Sequence, residues 1–419
     1  MNEKTKRAYE EAKKVYAEYG VDVEAALEKF KTIQVSLQCW AGDDVKGFEN
    51  LGPVASENVV TGGYPYAARN GDELREDIEE AFSLSPLTHR VNLHSMYAEH
   101  GHPRNDLNVE DFREWIDWAK KNGYKLDFNT SFFTHPMMDK GNSVCSFNKE
   151  VRDYWIKAGI DSRKISVAIG RELNDKCYNN FWFPDGTKDI PANRKYYREL
   201  LKDALDQMFA HKYTEEESKY ACDVLEGKWF GISTEAFVVG SHDFYIAYAA
   251  KNNLGVTLDT GHFRPTEDVA DKISAIYPFV NGMMLHVSRG IHWDSDHVVI
   301  EDDGLQGMMN ELKRGDYYGK VAIGLDFFDA SISRVYGWVI GLRATAKAIL
   351  KSLLEPTAML QKAELEEDKS QRLLLMEEEN NLPFNAVWNY LLESKGIKSG
   401  LEMEKELKRY EREVQSIRK

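Results

Sequence analysis

The sequence has little cysteine and no long hydrophobic run. Its four cysteines, Cys39, Cys145, Cys177 and Cys222, lie far apart and form no Cys-x-x-Cys pair. This spacing argues against a disulfide framework or a zinc ribbon and favours a reducing, cytoplasmic location. Because no stretch of 18 apolar residues occurs, no membrane span is expected. The first twenty residues have the pattern of a charged amphipathic helix without an apolar signal core, so no export signal is expected.

Basic residues are also scarce relative to acidic ones. The chain has 54 Lys and Arg against 69 Asp and Glu, a net charge of −15. Nucleic-acid binding depends on neutralising phosphates, so nucleic acid is not an expected partner. No Gly-x-Gly-x-x-Gly follows the first predicted strand and no P-loop occurs, which argues against a dinucleotide- or nucleotide-binding sheet.

What is present is an alternation of short apolar runs with helical patterns. Eight runs of strand character occupy residues 35–38, 90–94, 125–129, 165–170, 230–235, 255–259, 282–287 and 321–326. Helices are predicted at 72–83, 109–121, 193–209, 214–226, 244–252 and 266–276. Eight strands alternating with helices predict an α/β fold, a TIM (β/α)8 barrel with an additional helical C-terminal region.

The barrel does not account for the whole chain. We predict an N-terminal helical segment over 1–34, a catalytic barrel domain over 35–354 and a helical extension over 355–419. The extension is rich in Glu, Lys and Leu and is too charged to form a large core of its own. We therefore expect it to pack on the barrel or on another subunit, where it would make oligomer contacts.

Polar residues close most of the predicted strands. Residues at the carboxyl ends of barrel strands point into the active site. Those at the ends of the second, third and fifth to eighth predicted strands are His94, Asn129, Glu235, Asp259, His286 and Asp326. Three carboxylates and a histidine from four consecutive strands predict a site for Mn²⁺, Mg²⁺ or Co²⁺.

A second group of similar residues follows. His262 comes three residues after Asp259, and Asp294 and Asp296 are two apart, so an extended backbone would turn both to the same side. Two such groups indicate a two-metal site, in which one ion grips the substrate and the other orients a water or hydroxyl.

Each of these residues also has a structural interpretation. An aspartate after a strand often caps the next helix, a single histidine is often structural, and Asp294 and Asp296 could form a turn. Trp182, in the string WFPDG, and Phe132 could line a sugar site or pack in the core. We interpret Lys188 and Lys228 as surface charges.

Several long strings resemble one family. LDTGHFRPTE, HVSRGIHWDSDHVV, IGLDFFDASISR and LLEPTA, with GDDVKGFE, YPYAARN and WFPDGTKDI, are similar to L-rhamnose isomerases. The resemblance covers most of the chain. The sequence differs from the family pattern at three positions, Gln38, Ala41 and Tyr66, where the family has His, Gln and Gly. These differences affect the sugar-binding region.

The resemblance implies conversion of L-rhamnose to L-rhamnulose by a barrel enzyme, usually a homotetramer. It assigns His262, Asp294 and Asp296 to a catalytic Mn²⁺, with Mg²⁺, Co²⁺ or Zn²⁺ as alternatives. Glu235, Asp259, His286 and Asp326 would hold a second, substrate-binding metal. The candidate catalytic residues are Asp326, His262 and Asp294, and the candidate substrate-binding residues are His94, Trp182 and Phe132. Xylose isomerases, a more distant barrel family, have a lysine two residues after the strand-5 glutamate, where this assignment places Phe237.

Isomerisation requires moving one hydrogen between carbons 1 and 2 and one proton between their oxygens. A metal-assisted hydride shift is favoured over an enediol route with Asp326 or a metal-bound hydroxide as base. Two alternatives remain open at this stage. A metal-dependent barrel hydrolase could use similar ligands, although it would normally have more basic residues for phosphate, and a metal-stabilised carbohydrate-binding protein would bind sugar without turnover.

Overall fold

The structure is a computed structural model that describes residues 1–49, 62–231 and 234–418. The side chains of residues 293–295 also lie outside the described part. Eight strands form a closed barrel: β1 Gln34–Gln38, β2 Thr88–His94, β3 Lys125–Asn129, β4 Cys177–Phe181, β5 Ala221–Glu226, β6 Gly255–Asp259, β7 Met283–Val287 and β8 Val321–Leu325.

Each barrel strand pairs with its neighbours in the chain, and β8 closes the barrel against β1. All of these pairs are parallel, with Val35 opposite Ile323 at the closure and Asp259 opposite His286 between β6 and β7. The carboxyl ends of all eight strands therefore lie at one end of the barrel. The predicted TIM-barrel fold is confirmed.

Helices precede, connect and follow the strands. The described α-helices are α1 Glu3–Glu18, α2 Val23–Lys31, α3 Gly71–Ser83, α4 Arg113–Asn122, α5 Lys149–Leu173, α6 Arg194–Met208, α7 Glu217–Tyr220, α8 His242–Asn252, α9 Val269–Ile276, α10 Asp303–Arg314, α11 Arg334–Leu353, α12 Thr357–Leu365, α13 Lys369–Glu378, α14 Phe384–Ser394 and α15 Gly400–Glu413. Short two-stranded sheets pair Gly186–Thr187 with Phe237–Val238, and Arg289–Ile291 with Trp293–His297.

The prediction of the fourth strand at 165–170 is wrong, because these residues belong to the 25-residue helix α5. The Asn148 side chain caps this helix by accepting a hydrogen bond from the Glu150 amide. The β-branched residues of ISVAIG suggest a strand, but intrinsic propensity is a weak signal that packing overrides. The actual strand, β4, has the sequence CYNNF, whose two asparagines disfavour a strand when sequence alone is considered.

The prediction of the fifth strand at 230–235 is also wrong. Strand β5 is Ala221–Glu226, and the described part of 230–235 contains no strand. The helix predicted over 214–226 shrinks to the single turn α7. The wrong helix prediction arose because good helix formers precede Tyr220 and their pattern continues into ACDVLE. In the structure every residue of ACDVLE is buried, as is usual for a strand of a parallel barrel.

A small apolar cluster lies on the barrel strands, on the amino-terminal side of the strand ends. Cys222, Val224 and Met284 form this cluster, and Tyr178 and Ala322 pack against it. Side chains alternate between the two faces of a strand, so Glu226 shares a face with Val224, and His286 shares one with Met284. Apolar side chains of β5 and β7 therefore precede Glu226 and His286 on the same strand faces.

The last helices pack back onto the barrel's outer shell. Asp77 of α3, which is fully buried, accepts hydrogen bonds from Tyr410, Gln415 and Arg418 near the end of the chain. None of the helices in the described residues is long and apolar enough to cross a membrane. The division at 34 and 354 stays a prediction.

Candidate metal centre

Four side chains from consecutive strands meet at the carboxyl end of the barrel. Glu226 ends β5, Asp259 ends β6, His286 lies in β7 and Asp326 directly follows β8. Each offers one ligand atom, and these atoms lie within 4.8 Å of one another. Glu226, Asp259 and His286 are buried, and Asp326 is partly buried. The parallel barrel explains this convergence, since its strand ends share one rim.

The imidazole of His286 faces all three carboxylates. Its Nδ1 lies 3.3 Å from Glu226 Oε2, 3.6 Å from Asp326 Oδ2 and 3.9 Å from Asp259 Oδ2. One ring nitrogen is therefore surrounded by three carboxylate oxygens.

Uncharged donors orient two of the carboxylates. Asp259 Oδ1 accepts hydrogen bonds from the Gly261 amide at 2.7 Å and the Ser288 hydroxyl at 3.0 Å. Asp326 Oδ1 accepts one from the Trp40 indole nitrogen at 3.1 Å. In both residues these donors bind one oxygen, while the other oxygen faces His286.

The buried ionisable side chains of this group shift one another's pKa values. Burial alone would lower the pKa of His286, but Glu226, Asp326 and Asp259 raise it to about 9. Burial also disfavours the charged form of Glu226, yet His286 and His262 hold its pKa well below the usual range. For Asp326, burial raises the pKa to about 8 against the opposing effect of His286. The protonation states of His286, Glu226 and Asp326 therefore depend on one another.

This set of donor atoms fits a divalent cation. Three carboxylates and one imidazole nitrogen match the oxygen-rich sets that bind Mn²⁺, Mg²⁺ or Co²⁺. Their ligand atoms are close enough to share a single ion. A cation would also neutralise buried carboxylates whose mutual repulsion is otherwise unfavourable.

His262 adjoins the four-residue group. Its Nδ1 lies 3.0 Å from Glu226 Oε1, and its Nε2 lies 3.9 Å from Asp259 Oδ2. Asp296, in the strand Trp293–His297, has a left-handed φ of 44°, so the backbone is not regularly extended there. The Asp294 side chain lies outside the described residues. The structure therefore places His262 beside the predicted centre, and the group of His262, Asp294 and Asp296 stays a prediction.

The structure corrects the glutamate of the predicted ligand set. Asp259, His286 and Asp326 come together, but the fourth member is Glu226, whereas Glu235 lies exposed on a bend. The fifth strand was predicted nine residues too late in the chain. The carboxylate assigned to its end was therefore Glu235 instead of Glu226.

Aromatic rings adjoin the group on one side. The ring centroid of Trp182 lies 6.4 Å from that of His262 and 5.4 Å from that of Phe133. Phe133 lies 6.0 Å from His94. Phe132, predicted to contact the sugar, is fully buried and packs against core rings, 4.2 Å from Phe183 in the nearest case. The next residue along the chain, Phe133, occupies the site-facing position instead.

His94 provides a neutral polar group near these rings. Burial and the nearby His286 lower its pKa to about 3. Its Nδ1 lies 3.3 Å from the Ser131 hydroxyl, and its Nε2 is buried with no hydrogen-bond partner among the described residues. A neutral imidazole of this kind can exchange hydrogen bonds with a sugar hydroxyl.

Lys228 stands two residues after the correct strand-5 glutamate, Glu226. It is partly buried, and its ammonium nitrogen lies 5.2 Å from the Trp182 ring centroid. Lys228 therefore lies beside the aromatic side of the centre, and its interpretation as a surface charge stays a prediction. Phe237, which the earlier strand assignment placed at this position, belongs instead to a short two-stranded sheet.

Sequence reasoning missed Glu226, Asn180 and Trp40. Glu226 carries a usable signal, because the short run ACDVLE, apolar apart from Asp223, ends in a carboxylate before Gly227. Asn180 donates to Glu226, and Trp40 donates to Asp326 from the short 3₁₀ turn after β1. Nothing in the local sequence pattern indicates these two contacts, which depend on how the barrel closes.

A closed parallel barrel with a candidate divalent-cation site at its carboxyl end defines the class, a (β/α)8-barrel enzyme of the metal-binding type. The family model described as L-rhamnose isomerase (RhaA) matches residues 3–418. The chain belongs to the L-rhamnose isomerase family, as the sequence resemblance indicated.

Relatives match almost from end to end. The L-rhamnose isomerase of Rhodopirellula baltica is 48% identical over 415 residues, covering 98% of this chain and 96% of the relative. That of Listeria innocua is 47% identical over 411 residues, covering 97% of each chain. That of Lactiplantibacillus plantarum is 46% identical over 416 residues, covering 99% and 97%. The chain is therefore an aldose–ketose isomerase with a small sugar as substrate.

Proposed function

We propose that this chain interconverts L-rhamnose and L-rhamnulose with a divalent cation, Mn²⁺ in the first instance, held by Glu226, Asp259, His286 and Asp326. The observation that carries the proposal is the convergence of these four ligand atoms within 4.8 Å at the barrel's carboxyl end. The names of the family and of its relatives supply the substrate. A second ion held by His262, Asp294 and Asp296 is part of the proposal.

The reaction balances within the sugar. The bond between C2 and its hydrogen breaks and a bond from that hydrogen to C1 forms, while the proton on O2 moves to O1. No external oxidant or reductant is needed. A bound divalent cation supplies Lewis-acid stabilisation of the charge that develops on the sugar oxygens.

The chain's own residues bind and orient the sugar. His94, neutral because its pKa is lowered to about 3, hydrogen-bonds a sugar hydroxyl. Trp182 and Phe133 form an apolar wall. The Lys228 ammonium, beside Trp182, donates to a sugar oxygen that gains negative charge. His262, Asp294 and Asp326 are the candidates for handling the proton that passes between O2 and O1.

Metal dependence and the second ligand group are tested together. Chelator-stripped full-length protein is assayed for ketose formation from L-rhamnose, with and without added Mn²⁺, beside Asp294→Asn. Activity that returns with Mn²⁺ and is lost in the variant supports the proposal. No ketose with Mn²⁺, Mg²⁺, Co²⁺ or Zn²⁺ in a folded wild-type protein contradicts it.

The hydride and enediol routes leave different isotope patterns. L-rhamnose deuterated at C2 is converted in ordinary water, and the label at C1 of the ketose is measured by NMR. A hydride shift, the expected route, keeps the deuterium, whereas an enediol with Asp326 as base exchanges it with solvent.

Location and assembly complete the proposal. We propose a cytoplasmic enzyme, because all four cysteines are free and buried. We also propose a homotetramer in which the helices after α11 contribute to subunit contacts. Exposed leucines on these helices, Leu365, Leu373 and Leu374, support this assignment.

A further inference from the structure

Glu226 is joined to two buried residues on the strands that flank it. The side-chain nitrogen of Asn180, on β4, donates a hydrogen bond to Glu226 Oε2 at 2.5 Å. The hydroxyl of Thr257, on β6, donates to the side-chain oxygen of Asn180 at 2.8 Å. Asn180 and Thr257 are each 1% exposed and Glu226 is 3% exposed, so solvent does not compete for these contacts.

The chemistry of the three groups permits one arrangement. An ionised carboxylate only accepts hydrogen bonds, whereas an amide has one accepting and one donating end. With the Thr257 hydroxyl donating to the amide oxygen, the amino end of Asn180 must face Glu226. If the amide were flipped, its oxygen would face a carboxylate oxygen and its amino group would face the hydroxyl. The Glu226 carboxylate therefore sets the orientation of the Asn180 amide, and the Thr257 hydroxyl, which donates to the amide oxygen, holds the amide in that position.

We propose that Asn180 and Thr257 are positioning residues that hold the Glu226 carboxylate ready to bind the divalent cation. This inference rests on the proposed function. Asp259 and Asp326 have short side chains and their own donors on Oδ1. Glu226 has one more rotatable bond, and Asn180 is the amide that restrains it.

The hydrogen bonds from Thr257 to Asn180 and from Asn180 to Glu226 form a relay. If this relay positions Glu226, breaking it should lower the affinity for the divalent cation. Groups that orient metal ligands typically contribute about 10- to 100-fold to metal binding. Thr257→Val keeps the shape of the side chain but removes the donor, so we expect cation binding to weaken about tenfold. Thr257→Ser keeps the hydroxyl, and we expect its affinity to stay within about threefold of wild type. Asn180→Leu removes both ends of the relay and should weaken binding the most.

The measurement is the dissociation constant of Co²⁺ and of Mn²⁺, by calorimetry on chelator-stripped full-length protein. The visible absorption spectrum of the Co²⁺ form is recorded as a second readout, because it reports the ligand geometry. A double-variant cycle isolates the relay. If Thr257 acts through Asn180, adding Thr257→Val to Asn180→Leu changes the affinity no further.

The outcomes separate the inference from the proposed function. Weaker binding in Thr257→Val, recovery in Thr257→Ser and an altered Co²⁺ spectrum support the relay. Wild-type affinity in Thr257→Val, or equal loss in the Val and Ser variants, overturns it. If Asn180→Leu does not fold, the Val and Ser comparison still decides. A wild-type protein that binds neither ion overturns the proposed function as well, and this is seen before any variant is made.

Discussion

Trp40 links the loop after β1 to the metal group. Its indole nitrogen donates to Asp326 Oδ1 at 3.1 Å, and its ring lies 5.6 Å from that of Phe328. Trp40→Phe keeps most of the ring packing but removes this donor. We predict a drop in kcat/KM of about tenfold with little change in melting temperature, consistent with the loss of one ligand-orienting contact. An unchanged kcat/KM would show that Asp326 is held well enough without it.

Asp43, also in the loop after β1, is expected to make the stability of the fold depend on pH. Burial raises its pKa from 3.8 to about 7, although the Tyr97 hydroxyl and the Gly47 amide donate to it and lower the pKa. A raised carboxyl pKa contributes stability that is fully present below the unfolded-state value and is lost as the pH rises through the folded-state value. The loss should therefore run between about pH 4 and pH 7.

Asp43→Asn removes this titration while keeping a neutral side chain of the same shape. We predict that the free energy of unfolding of wild type, measured relative to the variant, falls by about 2–4 kcal/mol between pH 4 and pH 8. Chemical denaturation of both proteins across this range measures the difference. A difference that does not change with pH would show that Asp43 titrates near its ordinary pKa in the folded protein.

Among the barrel strands, the ends of β6, β7 and β8 were predictable from sequence. Each has a run of apolar residues that closes with a polar one, in Asp259, His286 and Asp326. Strands β4 and β5 were not predictable in this way. Asparagine-rich CYNNF reads poorly as a strand, and helix formers precede ACDVLE. The sequence therefore predicted three of the four converging residues, while the fourth depended on a boundary that tertiary packing decides.

The end of the chain supports α3 through one buried carboxylate. Arg418 donates to both oxygens of Asp77, at 2.9 and 2.6 Å. Arg418→Met should lower the free energy of unfolding by about 1–3 kcal/mol, because a buried charge loses its partner.

The matched control for Arg418 is Arg412, whose ion pair with Glu413 is exposed. Arg412→Met should change the free energy of unfolding by less than about 0.5 kcal/mol. Chemical denaturation of the two variants side by side provides the comparison. Equal effects would mean that the contact with Asp77 does not stabilise the fold.

For the whole molecule, the sequence predicted the barrel correctly although two of its eight strands were placed wrongly. The number of strands and their alternation with helices were enough to indicate this fold. The assembly is a separate prediction. Leu373 and Leu374, on α13, are 66% and 59% exposed, which is unfavourable unless another surface covers them. Light scattering should give four times the chain mass of 48.1 kDa. A mass of one chain at micromolar concentration would contradict the tetramer.

In the proposed function, the four residues at the strand ends hold the cation on which isomerisation depends. We would test this by measuring L-rhamnose isomerisation by Glu226→Gln and Glu235→Gln, each incubated with Mn²⁺, together with the Mn²⁺ content of each protein. We predict that Glu226→Gln loses at least about 100-fold in kcat/KM together with bound Mn²⁺, while the exposed Glu235→Gln behaves as wild type. Full activity in Glu226→Gln, or loss confined to Glu235→Gln, would contradict it.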